Sequence, residues 1–195
     1  MPAFDKSASD ADRAHSGETN ISLAHENWTA RISTIGASIR DLSFDEHKII
    51  EGSLPDAERW FAGSSLAPWV NRLADGTWTD QAGVQHQAVI NDKQNSCANH
   101  GLVFNRVFTI ESASKDQVTL SASCFDQSAY PFEVFMTVTY SLNREGLEVA
   151  IQLENRGETP APVAYGSHPY LVVDQQSVLQ VSAETRVQVD ARMLP

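Results

Sequence analysis

Residues 130–155 read YPFEVFMTVTYSLNREGLEVAIQLEN. Successive side chains of a β-strand point to opposite faces, so a strand with one buried face alternates apolar and polar residues. Phe132, Val134, Met136, Val138, Tyr140 and Leu142 share one face, and Glu133, Thr137, Thr139 and Ser141 lie on the other. After NREG (143–146) the alternation resumes, with Leu147, Val149, Ile151 and Leu153 inward and Glu148, Gln152 and Glu154 outward. Two amphipathic runs joined by a short turn that ends in glycine predict an antiparallel hairpin.

Outward from this hairpin the same period recurs in shorter runs. Strands are expected at Thr29–Ser33, Ser38–Phe44, Val107–Ser112, Val118–Cys124, Val178–Val181 and Thr185–Val189, separated by Gly, Asn, Asp and Pro turns. No run sustains a 3.6-residue period; one turn of helix after Ser53, through LPDAERW, is the best candidate. Many short alternating strands predict an all-β, antiparallel β-sandwich. Residues 1–20, rich in Ser, Asp and Ala, read as a flexible N-terminal tail, and 21–195 as one domain.

Bulk properties narrow the function. The chain has 195 residues, 42% of them hydrophobic, enough for one core. Its net charge of −11 would repel phosphate backbones and anionic membrane surfaces, so no nucleic-acid or membrane partner is expected. Two cysteines, Cys97 and Cys124, give no disulfide framework. No apolar run approaches the roughly 18 residues needed to cross a membrane, and the N-terminus lacks a secretory core, so a cytoplasmic protein is expected.

Three stretches break the strand pattern with residues suited to chemistry. In VAYGSHPYL (163–171), Pro169 restricts His168 to extended geometry and so gives its titratable ring a stiff mount. The plainer reading is a surface-turn histidine beside a structural proline. SSLAPWVNRLADGTW (64–78) sets Trp69, Asn71 and Arg72 after a proline; an amide beside a guanidinium offers several planar donors for hydroxyl groups. Pairing of Arg72 with Asp75 at a loop is the structural alternative.

In NDKQNSCANHG (91–101), His100 precedes Gly101, which permits a tight turn or a close backbone approach. Cys97 and His100 have a C-x-x-H spacing, but no second ligand pair stands at a matching interval, so no metal is expected. The chain contains no nucleophile elbow, phosphate loop or dinucleotide fingerprint.

Together LAPWVNRLADGTW, NHG and GSHPYL, in that order on an all-β chain, resemble the aldose 1-epimerase (galactose mutarotase) family. The likeness runs from about Ile21 onward and includes the 130–155 hairpin. It implies the family's β-supersandwich, a free aldohexose as substrate, interconversion of its α and β anomers, and no cofactor. It implies that His168 is the general acid, that His100 orients the substrate, and that Arg72 holds sugar hydroxyls, with Asn71 and Trp69 shaping the cleft. Leu171, Leu102 and the residues before Asn71 depart from the commoner family pattern, which points to a divergent branch.

Mutarotation needs a base to take the anomeric proton and an acid to protonate the ring oxygen. Histidine, with an ordinary pKa of about 6.5, suits the acid role. The resemblance places the general-base glutamate and a sugar-binding aspartate after the His-Pro-Tyr motif, at positions these 195 residues do not reach. The expectation is therefore a C-terminally incomplete sandwich with an uncovered face and impaired catalysis. A non-catalytic carbohydrate-binding module and a hexose-6-phosphate 1-epimerase stand as alternatives; the second calls for clustered arginines, which the acidic composition disfavours.

Overall fold

The computed structural model describes residues 17–52 and 61–195. All fourteen elements among them are strands. β1 (Asn20–His25), β2 (Trp28–Ser33), β3 (Ser38–Phe44) and β4 (His47–Glu51) form one antiparallel meander. β10 (Thr109–Ala113), β11 (Gln117–Ser123), β12 (Val134–Asn143) and β13 (Gly146–Asn155) form a second.

Between these sheets in the sequence lie β5 (Ser65–Leu66), β6 (Arg72–Ala74), β7 (Thr77–Thr79), β8 (Gln85–Gln87) and β9 (Cys97–Asn99), and β14 (Gly166–Ser167) follows β13. They make three two-stranded ribbons: β6 with β9, β7 with β8, and β5 with β14.

The hairpin is realised as read. β12 and β13 pair from Val134↔Asn155 to Asn143↔Gly146, leaving Arg144 and Glu145 as the turn. Along β12 burial alternates residue by residue: Val134, Met136, Val138, Tyr140 and Leu142 are buried. They meet Leu23, Ala30, Ile32, Ile39 and Leu42 of the first sheet in a single core, so the two sheets pack face to face as a sandwich. β13 is the edge strand; Leu147, Ile151 and Leu153 pack against that core but are only half-buried, and Val149 is exposed.

Ser38–Phe44 matches its expected bounds, and β2, β10 and β11 each lie within a residue or two of theirs. The strands expected at Val178–Val181 and Thr185–Val189 do not form. Val178, Leu179, Val181 and Val187 are exposed on irregular chain, because alternation makes a strand only where a neighbour completes the hydrogen-bond ladder. Order begins before Ile21: Ser33 Oγ donates to Glu18 Oε1, and Thr19 N donates to Thr34 Oγ1. The helical turn expected after Ser53 lies outside the described residues, as do residues 1–16 of the expected tail.

Candidate functional site

Three connections converge on one end of the short ribbons. Arg72 opens β6 and is in register with Asn99, the last residue of β9, so His100 emerges beside Asn71. The two are joined reciprocally: His100 N donates to Asn71 O (2.9 Å), and Asn71 N donates to His100 Nδ1 (3.3 Å). Both have a left-handed backbone, with φ of 63° at Asn71 and 64° at His100, an uncommon conformation that clusters at functional sites.

Gly101 follows with φ 77° and forms a parallel bridge to Ala67, whose carbonyl accepts from Leu102 N (2.7 Å). A Cβ at position 101 would stand 2.1 Å from Ala67 O, so glycine here is required by close backbone approach.

His168 arrives from the other direction. β14 pairs with β5, after which His168 N donates to Ser64 O (3.1 Å) and His168 O accepts from Gly63 N (2.7 Å). The ring is thus mounted between a two-residue ladder and Pro169. It meets His100 edge-on, with ring centroids 5.3 Å apart and planes at 81°. Phe61 lies 4.8 Å from His100 and 6.2 Å from His168, and Tyr170 lies 5.4 Å from His168. His168 is therefore not a free surface-turn residue.

The surroundings set the charge of the pair. Burial, then the nearby His168 and Arg72, push His100 down to about 4. Burial also lowers His168 below its ordinary value. Both rings are therefore neutral near pH 7. Since Nδ1 of His100 accepts from the Asn71 amide, the neutral ring carries its proton on Nε2, which is left as a donor.

The depressed value has a consequence for stability. His100 favours the folded state fully above its unfolded pKa of about 6.5, and that contribution is lost as pH falls toward 4. After allowance for partial solvent exposure, about 1–2 kcal/mol is at stake. His100→Gln is expected to flatten this part of the pH dependence, measured as urea midpoints between about pH 7.5 and 4.5. Parallel profiles for the two proteins would contradict it.

Arg72 is held beside the pair. Nε donates to Asp92 Oδ2 (3.2 Å) and Nη1 to Asn71 Oδ1 (3.4 Å), while Nη2 has no protein partner among the described residues. Burial tends to raise the Asp92 carboxyl, but hydrogen bonds from Asn95 and Arg72 outweigh it and hold the group below its usual range. The pairing expected from sequence proximity, Arg72 with Asp75, does not occur; Asp75 binds Arg192 instead.

Trp69 stands apart. It packs on Ala88, Ala98 and Ala129, and with Trp78 and Tyr130 lines a separate apolar hollow; no ring contact joins it to either imidazole. Cys97 is buried, and among the described residues no three His, Cys, Asp or Glu side chains cluster in a way that could hold a metal.

Sequence reasoning did not single out Phe61 or Asp92. Tyr170 carries a visible signal in the His-Pro-Tyr motif, but nothing in the sequence marks Phe61 as a neighbour of His100.

Comparison with known proteins identifies the family and the fold. The family model for aldose 1-epimerase matches residues 19–195. Protein YihR of Escherichia coli (strain K12) is 37% identical over 165 residues, which cover 84% of this chain and 53% of that protein. The fold matches the GalM/aldose epimerase homologue from C. elegans with a TM-score of 0.74 at 19% identity, covering 92% of this chain and 60% of that one. A galactose mutarotase-like protein from Clostridium acetobutylicum gives a TM-score of 0.75 at 19% identity, covering 91% and 62%. The chain thus spans between 53% and 62% of the length of these relatives. With a family match over residues 19–195 and the sandwich those relatives share, this chain belongs to the aldose 1-epimerase family.

Proposed function

We propose that these residues bind a free aldohexose between His100, His168 and Arg72 and supply the acid side of anomer interconversion. The observation that carries this reading is the edge-on approach of the two imidazoles at 5.3 Å beside a guanidinium with an unpartnered nitrogen. Arg72 Nη2 and His100 Nε2–H donate to sugar hydroxyls. His168, once protonated, gives its proton to the ring oxygen as the bond from that oxygen to the anomeric carbon breaks. A base takes the anomeric hydroxyl proton, an open-chain aldehyde forms, and rotation followed by reclosure delivers the other anomer. The stiff mount of His168 suits a reaction that depends on placement.

No carboxylate bonds to either imidazole among the described residues. With no described carboxylate placed on either imidazole to act as the base, catalysis by these residues alone is proposed to be impaired. A carbohydrate-binding role without turnover is favoured by one observation, that both imidazoles are held neutral and so serve as hydrogen-bonding groups near pH 7. Asp92, which neutralises Arg72 at 3.2 Å, disfavours a phosphorylated hexose. A cytoplasmic setting belongs to this reading and is supported by the two free, buried thiols.

The test is equilibrium titration of the chain with D-glucose and D-galactose, alongside polarimetry on the fresh α anomers. Binding with a rate near that of buffer is expected. Rapid exchange by the 195 residues would contradict the need for a further base, and absence of binding would remove the sugar reading.

A further inference from the structure

Residues 190–194 form a self-closed loop on the Arg72 side of the site. Asp190 N donates to Leu194 O (2.9 Å) and Met193 N to Asp190 O (3.0 Å), while Asp190 Oδ1 accepts from Arg192 N (2.8 Å) and Leu194 N (2.9 Å). The loop turns through Met193 in a left-handed conformation, φ 60°. Its one long polar side chain leaves the loop: Arg192 Nη2 donates to Asp75 Oδ1 (2.8 Å) and Ser96 O (2.9 Å), and Nε donates to Asn95 O (3.1 Å). One guanidinium therefore ties the loop to the turn after β6 and to the turn before β9.

These two turns flank β6, which opens with Arg72, and β9, which leads into His100. In that position the loop brings Met193 O to 3.5 Å from Arg72 Nη1, the nitrogen that also reaches Asn71. With Nε on Asp92 and Nη1 between two oxygens, the fork of Arg72 is oriented with Nη2 left over. Orienting a binding group before the ligand arrives removes part of the ordering cost of association.

We infer that Arg192 is a positioning residue for Arg72: it staples loop 190–194 to the β6 and β9 turns so that the loop backs the sugar-binding guanidinium. The inference rests on the proposed sugar site. Asp75, 65% exposed, and Arg192, 41% exposed, would as a lone surface pair contribute little; the two carbonyl acceptors make Arg192 a three-point tie.

The experiment compares the wild-type chain with Arg192→Ala and Arg192→Lys. In Arg192→Ala the dissociation constant for D-glucose or D-galactose is expected to rise roughly three- to tenfold. Amides 190–194 should exchange faster and the Arg72 Nε–H signal should move, while amides of β12 and β13 keep their protection. Arg192→Lys should recover part of the affinity, since an ammonium can reach Asp75 but not both carbonyls as well.

Unchanged affinity in Arg192→Ala, with a wild-type chain that binds, overturns the staple and leaves the sugar site standing. Weakened binding that comes with lost protection in β12 and β13 also overturns it, because the effect is then global. A wild-type chain that binds neither sugar overturns the sugar reading, and the staple is then judged on the Arg72 Nε–H signal alone.

Discussion

Replacement of His168 by alanine is expected to slow anomer interconversion by about 10²–10⁴-fold in a form of the protein that turns over, the range typical of a lost general acid. Polarimetry on fresh α-D-glucose or α-D-galactose reads the loss directly. Because burial lowers His168, its protonated form is a stronger acid but a scarcer one near neutrality. The rate it carries should therefore fall as pH rises through that lowered value, and the variant should lose this limb of the pH profile. Sugar affinity should change far less, since Arg72 and His100 remain. A variant with near wild-type rate would take the acid role away from His168.

The second large effect is expected at Gly101. A Cβ there would lie 2.1 Å from Ala67 O, 2.5 Å from Ala67 C and 2.9 Å from Trp69 O, all backbone atoms without the freedom of a side-chain end. The residue also has φ 77°, which costs an L side chain in its own right. Gly101→Ala should lose roughly 3 kcal/mol or more in urea unfolding and move His100 away from Asn71. Gly83 provides the control: its φ is 82°, but nothing lies within 4 Å of an added Cβ. Gly83→Ala should cost about 1 kcal/mol, the backbone conformation alone. Equal costs at the two positions would show that the contact with Ala67 is not what fixes glycine at 101.

The contrast between these glycines shows what was legible in the sequence. Gly101 after a histidine reads as a close approach, but its partner, Ala67, is more than thirty residues away and carries no mark. The β12–β13 hairpin was readable because both ladder partners are local and one face of β12 is wholly buried. The 178–189 region shows the opposite case: its alternation is as regular, yet those residues have no strand beside them and remain irregular. Period two reports a capacity to pair, and pairing needs a neighbour.

The site divides in the same way. His100, His168, Arg72 and Asn71 could be nominated from ordered motifs, and the structure brings them together. The partner of Arg72 could not be chosen by sequence distance: Asp75 is three residues away, but Asp92 across the ribbon takes the bond. Phe61, which touches both imidazoles, came without any local signal. Trp69 follows directly on Pro68 and looked like part of the same cleft, yet its ring turns to the small core around Ala98.

Titration of the chain with D-galactose or D-glucose, followed through the imidazole carbon-proton NMR signals of His100 and His168 and the Arg72 Nε–H signal, tests the convergence most directly. All three should shift together along one saturation curve, while the signal of His86, paired with Asp80 on the β7–β8 ribbon, stays in place. Saturable shifts confined to one of the three groups, or no shift in any of them up to high sugar concentration, would contradict a shared hexose site.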